Sequence, residues 1–197
     1  MTKVDPKIEL FAEGLKSYPA AREAIRAFEE LVGELALQVM VRHLDDLKRA
    51  TGQPGITEHD IKVERDLVPP PAVGVGAVCG APETWGIRWG IKWVPPQPSR
   101  SARLEAFMGV RVRAAYIQDY ILRNLQSVIS DEKDQGVSIE KVSGWGHEVH
   151  VSTPMTPDLS LEEAEKLIDK VVSFFLNMAN RAGGISALLA APTTSND

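Results

Sequence analysis

The chain has one cysteine, four histidines and no long apolar run. With Cys79 alone no intramolecular disulfide can form, so nothing points to an oxidising compartment. Cys79 lies in the apolar Val75-Gly-Ala-Val-Cys-Gly80 and is read as a buried small hydrophobe, not a reactive thiol. Residues 1–9 lack the apolar h-region of a signal peptide. No stretch reaches the roughly 18 apolar residues of a membrane span, and a cytoplasmic location is expected. Gly-x-Ser-x-Gly is absent, and Gly74-Val-Gly76 is not followed by the glycine and lysine of phosphate loops. No repeat of solenoid period occurs, and the proline clusters are too short to part domains.

What is present is ordinary for a folded domain: 197 residues, 44% hydrophobic and 25% charged. One α+β domain over 1–197 is expected, with flexible ends at about 1–5 and 192–197. The net charge is −5, unevenly placed. Between Trp85 and Arg123 seven cations face only Glu105 and Asp119, a +5 middle that leaves −10 elsewhere. Either opposite charges meet within the fold, or the middle segment meets an anionic partner.

Periodicity supplies the elements. Pro19 opens a long helical pattern to about Thr51, with Ile25, Phe28, Val32, Leu35 and Val39 at steps of three and four. The stripe is broad enough for packing on more than one side, and Gly33 marks a close contact within it. A shorter helix spans Pro6 to Ser17. Strands are expected at Ile56–Val63, Val73–Cys79 and Trp85–Trp93, a second long helix at Ser101–Ser130, and two further strands at Val137–Val142 and Gly146–Thr153. Ser160 with Glu163 is a capping box that starts a last helix to about Arg181. The apolar tail Ile185–Ala191 would dock on the body or on another subunit. The expected order is α-β-β-β-α-β-β-α: about five antiparallel strands packed with three main helices.

The sharpest local pattern is Trp85-Gly-Ile-Arg-Trp-Gly-Ile-Lys-Trp93. Two-residue alternation puts Trp85, Ile87, Trp89, Ile91 and Trp93 on one face and Arg88 and Lys92 on the other. The tryptophan face is core, or a partner-binding patch where part of it stays open. Trp85, Trp89 and Trp93 are the candidate binding residues, with Arg88 and Lys92 as secondary contacts. Single-stranded nucleic acid needs aromatics and cations on one surface, and here they diverge.

Histidine chemistry finds little support. His147-Glu-Val-His150 on a strand sends its imidazoles to opposite faces and lacks metalloprotease spacing, so no metal is expected. Glu148, His150 and Ser152 are expected to face solvent. His43 with Asp45 and Asp46, and His59 with Glu58 and Asp60, are read as solvated ends of elements.

In element order, residues 19–181 are similar to type III secretion chaperones and related adaptor domains. That resemblance implies an acidic, often dimeric protein that binds polypeptides without chemistry. The first part also resembles the PD-(D/E)XK nuclease core, in which an acid stands two residues before the third-strand lysine. Gly90 stands there before Lys92, so this resemblance implies no working metal site.

The function expected is therefore non-enzymatic: a chaperone- or adaptor-like domain, without cofactor, that holds a protein partner or a second copy of itself. The contact would run through the aromatic sheet face or the apolar C-terminal tail. The alternatives are a small hydrolase near His43, His59, His147 or His150, or nucleic-acid binding through the basic middle segment.

Overall fold

The computed structural model describes residues 6–68, 71–80, 85–112, 114–129, 136–144 and 146–190. The expected flexible ends, most of a turn expected at Gly80–Glu83 and most of a polar loop expected at Asp131–Gly136 lie outside them. The chain runs through α1 (Pro6–Arg42), α2 (Leu44–Thr51), a 3₁₀ turn (Glu58–Asp60), β1 (Lys62–Arg65), β2 (Val73–Cys79), β3 (Trp85–Val94) and β4 (Arg103–Val112). It continues through α3 (Ala115–Ile129), β5 (Ser138–Gly144), β6 (Gly146–Met155), α4 (Leu161–Arg181) and α5 (Ile185–Leu189). The fold is α+β with one antiparallel sheet, ordered β1-β2-β3-β4-β6-β5.

Three elements differ from expectation. The helix expected from Ser101 is strand β4 up to Val112, and only α3 is helical. Leu104 and Met108 are four apart, a spacing that suits both a helical turn and a two-residue alternation. Ladder pairing of β4 with β3 and β6 along its length shows that the extended form won. The two expected N-terminal helices are one, since α1 runs through Pro19 and breaks at His43. The strand expected from Ile56 begins only at Lys62, because Thr57 and Asp60 form a capping box that turns the chain first. The Ser160–Glu163 box starts α4 as expected.

The helices cover one face of the sheet. Val32, Leu35, Ala36, Val39 and Met40 of α1 and the apolar stripe of α4 bury against Ile87, Trp89, Met108, Val110, Val149 and Val151. Gly33 is the expected close approach: a Cβ there would collide with Val63. The described residues place no helix on the other face. Leu67, Val68 and Phe107 form a small second cluster there.

That second face is strongly concave. Lys92 on β3 reaches Glu140 on β5 at 2.7 Å, although β4 and β6 lie between them. In a flat sheet three strand spacings would hold these strands about 14 Å apart. On the other side of β3, Gly76 and Gly90 pair across β2 and β3 in close approach. Gly90 has φ +147°, and a Cβ on it would lie 2.7 Å from the Gly76 Cα.

Candidate functional site

The concave face concentrates charge where the sequence led us to expect solvent. Glu148, His150 and Ser152 alternate on β6 as expected, but all three are buried. So are Lys92 on β3 and Glu105 on β4. The curl closes the side chains over one another, which a sequence pattern cannot show.

The network is continuous. Arg88 Nη1 lies 2.8 Å from Glu148 Oε1, and Arg111 Nε lies 3.9 Å from the same oxygen. Arg88 also donates to the Leu67 carbonyl. Glu148 Oε2 lies 2.7 Å from His150 Nε2, and His150 Nδ1 lies 3.3 Å from Lys92 Nζ. Lys92 pairs further with Glu140 at 2.7 Å and Glu105 at 3.2 Å, and Arg103 Nε pairs with Glu105. An ammonium only donates, so Nδ1 accepts and the imidazole proton sits on Nε2, facing Glu148. Glu148 Oε1 and Glu105 Oε2 have cations close by but no aligned hydrogen bond, so attraction there is chiefly coulombic.

His150 fits because its register partner is Gly109. A Cβ on Gly109 would lie 2.7 Å from His150 Nε2. Phe107 stacks on the imidazole with centroids 5.2 Å apart, and Lys92 Nζ stands 5.8 Å from the Phe107 ring centre. Burial, reinforced by the Lys92 charge, holds the His150 pKa below its ordinary 6.5 despite the Glu148 hydrogen bond. Glu140 moves down from 4.5: burial pushes it up, but the Lys92 ammonium and its hydrogen bond more than reverse that.

The sign of the pH dependence follows. Below 6.5 the unfolded chain takes up a proton that buried His150 refuses, so acid favours unfolding. Stability is expected to fall from neutral pH to about 5, with Glu140 adding a second loss in stronger acid, below its ordinary 4.5. Urea titrations across this range should give a slope that His150→Gln flattens above the carboxylate range. An equal slope in the variant would remove His150 as its cause.

Glu148, His150 and Lys92 line up like a proton relay, and all three are buried. The arrangement links β3, β4, β5 and β6 across the concave face. The basic middle segment thus meets carboxylates within the fold at Arg88, Lys92, Arg103 and Arg111.

The candidate tryptophans divide. Trp89 is fully buried, with Nε1 donating to the Ala36 carbonyl of α1 at 2.8 Å. Trp93 is 43% exposed, and Trp85 starts β3 in register with Val112. The C-terminal tail docks on the body, with Ile185 and Leu188 of α5 buried.

The four histidines stand apart. His43, at the α1–α2 junction, lies 2.9 Å from Asp169 through Nε2 and 3.5 Å from Asp46 through Nδ1. Ser173 Oγ is 3.4 Å from the same Nε2. Asp169 is the nearer partner of the nitrogen a serine nucleophile would need, so His43 pins the helix junction to α4. His59 is exposed on the 3₁₀ turn, and His147 and His150 point to opposite faces of β6. Among the described residues no three His, Cys, Asp or Glu side chains gather as metal ligands. Burial pushes the Cys79 thiol up, as an inert core position requires.

One surface went unread in the sequence. Every residue of α1 from 10 to 28 is exposed. Leu10, Phe11, Leu15, Tyr18, Ile25, Phe28 and Leu31 are between 44% and 72% accessible. No described helix is long and apolar enough to cross a membrane. Comparison with protein-family models, curated proteins and solved structures finds no match.

Proposed function

We propose that this protein is a non-enzymatic interaction module that pairs with a second copy of itself through the N-terminal half of α1. The observation that carries the reading is the bare apolar stripe on that helix. Phe11, Tyr18, Ile25, Val32 and Val39 recur every seven residues, with Ala21, Phe28 and Leu35 three positions on from Tyr18, Ile25 and Val32. This is the a and d spacing of a helix seam. Val32, Leu35 and Val39 spend it on the core, whereas the earlier members face water.

A helix in a protein draws most of its stability from packing its apolar face, and a proline inside one costs about 3 kcal/mol. The exposed half of α1 lacks that packing and carries Pro19 at its middle. A partner helix supplies the missing burial. Taking roughly 150–200 Å² for each such side chain, the seven exposures leave about 700 Å² of apolar surface per chain. That is close to the ~800 Å² each partner covers in a standard interface. An identical helix carries the same stripe, so one surface satisfies both copies, as two-fold dimers require. Trp93 remains as an aromatic rim at the end of β3.

The test is the mass in solution. Light scattering or sedimentation at micromolar concentration is expected to give a dimer. Tyr18→Glu with Ile25→Glu should give a monomer whose sheet signal by circular dichroism is retained. A monomeric wild-type chain would remove the proposal, as would a charged variant that stays dimeric.

A further inference from the structure

We infer that the open end of the concave face is a binding site for a small oxyanion, a phosphate or carboxylate group carried free or at the end of a larger molecule. The inference is independent of the pairing through α1. A cleft of about 180 Å³ lies where β3, β4 and the 95–102 connection meet the edge strand β5. Four cations line it, Lys92, Arg100, Arg103 and Lys141, against the single carboxylate of Glu140.

Donor accounting shows which cations are open to a ligand. Lys92 hydrogen-bonds Glu140 and His150, lies 3.2 Å from Glu105 without an aligned bond, and is buried, so it contributes chiefly field. Glu140 is in turn held by Lys92, which lessens its repulsion of an incoming anion. Lys141 pairs with Asp119 in the open, a weak tie. Arg103 spends Nε on Glu105, but its Nη1 is buried with no hydrogen-bond partner. A buried, unsatisfied donor on a charged group is costly, and calls for an acceptor.

Arg100, unlike the buried Nη1 of Arg103, is open to solvent. It is exposed and forms no side-chain ion pair among the described residues. Its backbone is fixed by a two-way bridge to Gln97, at 2.8 and 3.0 Å. Guanidinium forks match the paired oxygens of carboxylate and phosphate. The cleft is smaller than the roughly 300–1,000 Å³ of drug-sized pockets, so it admits an oxyanion group and leaves any larger remainder outside.

The experiment titrates the full chain with inorganic phosphate and separately with acetate, at constant ionic strength. Amide shifts and melting temperature are followed, with chloride as control. Saturable shifts at residues 92–103 and 140–142 are expected with phosphate, acetate or both, and whichever saturates names the group. Arg100→Ala should weaken the binding about tenfold without lowering the melting temperature of the ligand-free protein, the value of one charge-assisted bond. Arg103→Lys keeps the charge but loses the fork, and should weaken it similarly. Shifts that never saturate, that chloride reproduces, or that survive both substitutions would overturn the site. Arg100→Ala keeps the test open if Arg103→Lys fails to fold.

Discussion

Gly90→Ala is expected to destabilise the protein by more than about 3 kcal/mol, a large share of the 5–15 kcal/mol typical of a domain. Two costs combine. At φ +147° Gly90 occupies backbone space that side chains rarely adopt. The new methyl would also overlap the Val75 carbonyl oxygen and lie 2.7 Å from the Gly76 Cα. Both obstacles are backbone of β2, so relief requires β2 to part from β3. Gly86→Ala on the same strand is the control, since nothing lies within 4 Å of its added Cβ. Urea unfolding should leave the Gly86 variant within about 0.5 kcal/mol of wild type. Equal, small effects at both positions would mean that β2 and β3 do not approach so closely at the Gly76–Gly90 pair.

The same strand shows how far sequence carries. β3 was legible because five apolar residues at odd positions leave no helical alternative. α4 was legible from its capping box and its stripe. β4 was not, since Leu104 and Met108 satisfy both periods and Gly109 and Arg111-Val-Arg113 trouble a helix there only slightly. The continuity of α1 through Pro19 was also hidden, because proline is as apt to open a helix as to sit inside one.

The charge network was half visible. Arg88 and Lys92 on one strand, and Glu148 and His150 on another, each alternate with apolar residues. Their pairing depends on β4 lying between β3 and β6 and on the curl, neither of which is a local property. The seven-residue spacing of Phe11, Tyr18 and Ile25 was in plain view too. What could not be read was where along α1 the body ends and water begins.

Glu148→Ala carries the other large effect, about 3–5 kcal/mol, the usual consequence of removing one partner from a buried charge cluster. Glu148 is 1% exposed and serves Arg88, Arg111 and the His150 N–H together. Without it the imidazole N–H loses its acceptor, and Arg88 keeps the Leu67 carbonyl and a weaker attraction to Glu64. Glu148→Gln retains volume and an acceptor for His150 but loses the charge, so it should fall between alanine and wild type. Removing both ends of the pair, as Arg88→Met with Glu148→Leu, should cost less than the sum of the single changes, because an apolar pair of similar size leaves no stranded charge. Urea unfolding of the four proteins closes the cycle and yields the coupling directly. A Glu148→Ala variant as stable as wild type would show that water already reaches this carboxylate, and the sealed network on the concave face would have to be given up.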